Sequence, residues 1–181
     1  MSSLQEIKLS KLEAAKRQLE MAIILYFNTA EPVSIHTLCC AARQILVDLC
    51  DYREIEVEFT LKSLITSQIA PEFHKKVFSE FAAPENFFKH AKRDPEDFFD
   101  FIPKGSEFII FESVQMYLSL TSETTPLMRL FSVWWHILHK DFLLPSETER
   151  LRLLNSISYT ENDRWKYFER FLPQVYRIPK G

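Results

Sequence analysis

Apolar residues along this chain recur mostly at helical intervals. Between Leu4 and Phe27, the positions Leu12, Ala15, Leu19, Ala22, Ile23 and Tyr26 are three or four apart, which predicts an amphipathic helix. The run from Asn28 to Pro32 breaks it. Ser34 is the expected N-cap of a second helix, whose buried stripe reads Ile35, Leu38, Cys39, Ala42, Ile45, Leu46 and Leu49. So short a connection implies an antiparallel hairpin of the two helices. The period then changes: Ile55, Val57, Phe59 and Leu61 alternate with Glu56, Glu58 and Thr60, the spacing of a short strand. The segment 98–102, rich in phenylalanine, has the same look, so the two are expected to pair as a small ribbon.

Further along, Pro71 suits the first turn of a third helix reaching Phe81. Pro84, which lacks an N–H, should kink it or restart it as another helix that stops before Pro95. Ser106 is the expected cap of a helix through Leu120, with Phe108, Phe111, Val114, Tyr117 and Leu118 inward. Thr125-Pro126 opens the most hydrophobic segment, ending near Lys140. Two shorter helices are expected after Pro145-Ser146 and over 161–171. The predicted architecture is all-α: a single helical bundle over residues 1–172, with at most one two-stranded ribbon, and a loosely ordered tail over 173–181.

Composition agrees. Only two glycines occur in 181 residues, too few for the turns of a β-sandwich or a glycine-rich nucleotide fold. Sixteen phenylalanines and three tryptophans make the expected core aromatic. A net charge of −3 argues against a globally basic nucleic-acid coat and leaves room for a local basic patch. The apolar run 21–27 has no cleavage pattern behind it, and no uncharged run reaches the ~18–20 residues that cross a bilayer. The three cysteines, Cys39, Cys40 and Cys50, fall on one predicted helix and read as small hydrophobes in a reducing environment. A soluble, cytoplasmic protein without a membrane partner is the expectation.

Candidate chemistry concentrates in the stretch APENFFKHAKRDP. On a helix Asn86, Lys89, His90 and Arg93 stand at i, i+3, i+4 and i+7 and share one face, while Phe87, Phe88 and Ala91 turn toward neighbours. A histidine between cations suits a phosphate ester: the cations hold the phosphate and the imidazole exchanges a proton near neutral pH. The motif Asn86-x-x-x-His90 on a helix of an all-α domain resembles the HEPN superfamily (higher eukaryotes and prokaryotes nucleotide-binding). That resemblance implies a metal-independent, ribonuclease-type or RNA-binding protein with its site across a homodimer. It makes His90 the acid/base and Asn86 its orienting partner, with Lys89 and Arg93 on the phosphate. Glu85 stands where the family has arginine, and Arg43 or Arg93 would have to supply that charge in space. The acidic substitution favours a second reading, a non-catalytic helical interaction or regulatory domain.

Other constellations are weaker. The stripe His36, Cys40, Arg43 lies beside the buried face of the second helix, near Asn28. His36 and Cys40 at i, i+4 offer two zinc ligands where zinc needs at least three, so no metal and no cofactor are expected. A structural hydrogen bond linking this stripe to Asn86 or His90 is expected instead, with His36 and Asn28 in a supporting role. Arg129 and His136 also match the family's arginine-to-histidine spacing, but their intervening residues are apolar. His136 and His139, flanked by Trp134 and Trp135, suggest an oligomer interface. No glycine-rich phosphate loop and no nucleophile elbow is present.

Overall fold

Ser10 opens the first helix by accepting a hydrogen bond from the Glu13 amide at 3.1 Å. This computed structural model of the protein describes residues 6–92, 95–140 and 158–177. Helix α1 (Lys11–Phe27) buries Ala15, Leu19, Ala22, Ile23, Tyr26 and Phe27, the stripe its periodicity predicts with Phe27 added and Leu12 only partly covered. Helix α2 (Pro32–Tyr52) packs along it as the expected hairpin partner. Its cap is Glu31 rather than Ser34: the carboxylate accepts from Val33 N at 3.0 Å and Ser34 N at 2.7 Å, with Pro32 in the first turn, where no N–H is needed.

Both helices of this hairpin end in the same way. Ala30 N donates to Leu25 O and Thr29 N to Tyr26 O; Ile55 N donates to Cys50 O and Glu54 N to Asp51 O. These are Schellman motifs, whose turning residue adopts a left-handed conformation that favours glycine. Here Thr29 (φ 49°) and Glu54 (φ 53°) hold those positions. A left-handed side-chain-bearing residue costs ~1–2 kcal/mol, offset in part by glycine's freedom when unfolded. Thr29→Gly and Glu54→Gly should therefore each stabilise the fold by about 0.5–1 kcal/mol, read from urea midpoints at constant slope.

Helix α3 (Leu61–Gln68) begins with a reciprocal capping box of Thr60 and Ser63, where the sequence reading had an extended segment end without a successor. Helix α4 (Pro71–Lys89) runs through Pro84 instead of breaking there, forgoing the bond to the Glu80 carbonyl. Helix α5 (Gly105–Thr121) starts one residue before Ser106, which lies in its first turn rather than capping it. Helix α6 (Pro126–Leu138) is capped by Thr125, and a 3-10 turn (Glu161–Asp163) leads into α7 (Arg164–Arg177). The last of these continues through Pro173, so residues 173–177 are helical and not a loose tail. The helix expected after Pro145 lies outside the described residues. Among the described residues there is no strand; 55–60 and 97–102 carry no regular secondary structure, so the ribbon does not form.

The core is one cluster built on α1, α2, α5, α6 and α7. At its centre Phe27 meets Phe131, Trp134, Tyr167 and Phe168, with ring centroids 4.9–6.1 Å apart. Helix α5 is covered nearly all round and carries Glu107 and Glu112 into the interior. Among the described helices α2 alone is long and apolar enough to cross a membrane, and its buried face is packed against α1 and α5. Helix α4 differs from every other long helix: none of its 19 residues is buried.

Candidate functional site

The phenylalanines of the Asn86–His90 stretch anchor α4, as expected. Phe87 stacks on Phe99 at 5.2 Å, and Phe88 sets its edge against Phe101 at 5.0 Å and His36 at 5.7 Å. The polar members face solvent. His90 is the C-terminal cap, donating its backbone N–H to Asn86 O at 3.1 Å, and Asn86, Lys89 and His90 are exposed. Lys89 is ion-paired with Glu85, one turn back. Arg93 lies outside the described residues.

His36 and Asn28 do not reach this stretch through polar bonds. Asn28 Nδ2 donates to Ile24 O at 2.7 Å, closing its own helix end. His36 is 2% exposed, its Nδ1 is 3.0 Å from Ser106 Oγ, and its ring lies against Phe88 and Phe101. Its Nε2 is buried with no hydrogen-bond partner. The structural bond expected for His36 exists, but it joins α2 to α5.

Arg43 is likewise engaged elsewhere. Its guanidinium pairs with Glu112, whose side chain is 1% exposed and also accepts from Leu61 N at 2.8 Å. That carboxylate ties α2, α5 and the start of α3 together. Burial opposes the charge on Arg43, yet the bond to Glu112 and its field, with smaller help from Cys40 and Glu85, hold its pKa above the usual value. Helix α4 packs on α2 beside this stripe.

Next to it, Cys39 and Cys40 differ sharply. Burial pushes the Cys39 thiol up. The Cys39 thiol donates to His36 O at 3.2 Å, and the Cys40 thiol is lowered to about 6, chiefly by the neighbouring Cys39 side chain and then by His36, against burial and the charge of Glu85.

The buried acids on α5 escaped the sequence reading. Glu107 accepts from Tyr26 Oη at 3.0 Å and sits 3.0 Å from His139 Nε2, while Trp134 Nε1 donates to Tyr26 Oη at 3.2 Å. Trp134 and Trp135 are core residues of this chain. Arg129 and His136 do not converge: Arg129 donates to Thr124 O, and His136 Nδ1 is 2.6 Å from Ser132 O. The signal available in the sequence was Glu107 and Glu112 inside a run apolar on all sides, which marks a helix whose charges need internal partners.

What α4 does enclose is a hollow. Val77, Phe81 and Pro84 form one wall, Phe99 and Ile102 the second, and Gly105 and Phe108 of α5 the base, with His36 reaching it from below. Its volume is about 440 Å³, within the ~300–1,000 Å³ of small-molecule sites. Of its lining residues Ile102 is 77% exposed. A second, more polar hollow of about 280 Å³ lies beside Tyr26, Glu107 and Arg164, bordered by the Lys104–Glu161 ion pair at 2.6 Å.

No protein-family model matches this chain, and no curated protein or solved structure shows significant similarity to it.

Proposed function

We propose that this chain is a non-catalytic helical binding module and that its working surface is the apolar groove between α4 and the start of α5. One observation carries this reading: a 19-residue helix buries none of its residues in the core, yet holds an apolar hollow open beside it. Such a helix contributes little to the interior, and its apolar side chains gain their full burial only when a ligand fills the groove. The occupant that fits is an apolar small molecule, since the walls are Val77, Phe81, Pro84, Phe99, Ile102 and Phe108. The polar groups at its edge, His36, Asp100 and Lys104, orient one polar end.

The test is equilibrium titration of the protein with an apolar fluorescent dye. Phe81→Asp places an unpaired charge on the groove wall and should weaken binding at least ~tenfold. Phe81 packs against the core, so the melting temperature should fall as well, and binding is compared at a temperature where both proteins are fully folded. Equal binding by Phe81→Asp and wild type sinks the reading.

The second reading, a HEPN-like RNA-directed homodimer, is favoured by the exposed Asn86, Lys89, His90 and Lys92 at one end of α4. Its test is incubation with mixed RNA in EDTA beside His90→Ala. Cleavage lost in the variant supports it, and absence of both cleavage and salt-sensitive RNA binding removes it.

A further inference from the structure

Spacing along the sequence gives α2 only two ligands for a metal, His36 and Cys40. Packing adds a third. On an α-helix i, i+3 and i+4 share one face, so His36, Cys39 and Cys40 project together from α2. A ring nitrogen of His36 and the two sulfurs all lie within 4.8 Å of one another, and all three residues are buried. Three atoms so placed have a common point no more than about 2.8 Å from each, against ~2.3 Å for Zn–S and ~2.0–2.1 Å for Zn–N bonds. Small rotamer adjustments close the difference.

Two further facts set this cluster apart from ordinary core packing. His36 Nε2 is buried and makes no well-formed hydrogen bond, with only the Cys40 thiol near it, which costs free energy unless something better meets it. The other nitrogen, Nδ1, is held by Ser106 Oγ, an outer contact of the kind that fixes the tautomer and ring angle of a metal-binding histidine. The two thiols cannot satisfy each other covalently. Adjacent Cα atoms are ~3.8 Å apart, short of the ~4.4–6.8 Å a disulfide needs, so none forms while α2 stays helical.

We propose that His36 Nε2, Cys39 Sγ and Cys40 Sγ bind one zinc ion. Thiolate and imidazole ligands match a borderline-soft cation, and two thiolates neutralise a divalent charge, which makes the loaded site tolerable in a dry interior. Binding releases the two thiol protons to solvent. The fourth tetrahedral position is left to water.

The experiment is titration of reduced, chelator-stripped full-length protein with Co²⁺, followed by Zn²⁺. The expected result is saturation at one equivalent with thiolate-to-cobalt charge-transfer absorption, which zinc then bleaches. Cys39→Ala and Cys40→Ala keep a small apolar side chain in the core; each should weaken Co²⁺ binding and remove about half the charge-transfer intensity. Ser106→Ala should weaken it by about tenfold or more with the charge-transfer absorption intact. If the cysteine variants do not fold, X-ray absorption of the zinc-loaded wild type counts the ligands directly, and two sulfurs are expected. No charge-transfer band in folded, reduced wild type overturns the proposal. So does a band unchanged in both cysteine variants, or a zinc shell of nitrogen and oxygen alone. Dye binding in the groove should persist in the cysteine variants, so the two readings fail separately.

Discussion

Arg43→Met should destabilise the fold by ~3–5 kcal/mol, the largest loss expected from any single polar substitution here. The side chain of Glu112 is almost fully enclosed and has two described partners, the Arg43 guanidinium and the Leu61 amide. Removing the cation leaves an ionised carboxylate in the interior with one backbone donor. Its desolvation, already met on folding, is then no longer compensated. The reciprocal substitution is expected to cost less, because Arg43 is a third exposed and its charge can turn to water. Arg43→Met combined with Glu112→Met should recover most of the loss, since two well-packed apolar side chains replace a buried ion pair at little net cost. A residual of about 1 kcal/mol should remain for the Leu61 amide that loses its acceptor. Urea unfolding of the four proteins gives the coupling, and additive single effects would show that the pair is not what holds α2, α3 and α5 together.

Phe27→Ala is expected to cost ~3–5 kcal/mol, by lost transfer free energy plus the cavity left behind. Its ring stacks on Phe168 at 4.9 Å and Tyr167 at 5.9 Å, and it edges Tyr26 and Trp134 at 5.6 Å and 6.0 Å. It therefore joins α1 to α6 and α7 at one point. The site cannot easily collapse, because the surrounding rings are large and each has its own partners. Helix α7 touches little else in the described chain beyond α6 and α1, so it should loosen first. Hydrogen exchange in α7 is expected to rise more than in α2, with Phe27→Leu losing only about a third as much stability. Uniform loss of protection across all helices would contradict this placement.

The helices that pattern alone foretold are those whose apolar face meets a neighbour over its full length. Ala15, Leu19 and Tyr26 of α1, and Leu46 with Ala42 of α2, fall where period 3.6 puts them. Pattern failed where long-range partners decide. Glu112 is tolerable only because Arg43, 69 positions away, comes to meet it, and His36 is fixed by Ser106, 70 positions away. Neither pairing has a local signature. Pro84 misled for a related reason: the rings of Phe87 and Phe88, docked on Phe99 and Phe101, hold the helix past a residue that would end it in isolation. The alternation of 54–61 is real, but with no strand beside it the segment stays an unpaired connection into α3.

The same contrast applies to the site. The spacing of Asn86 and His90 is a local property, and the two lie at the end of α4, where His90 is the cap beyond the last turn. Their setting was not legible: both are exposed, and Glu85 is turned toward Lys89. The groove had no linear signal at all, since Val77, Phe99 and Phe108 come together only when α4 and the 97–104 segment fold against α5.

The groove as working surface is tested most directly by heteronuclear NMR of the labelled protein titrated with an apolar dye. Saturable shifts should centre on Val77, Phe81, Gly105 and Phe108, with His36 responding from beneath. Shifts centred instead on exposed Trp165 and Tyr176 of α7, or none at the groove at saturating dye, would contradict it.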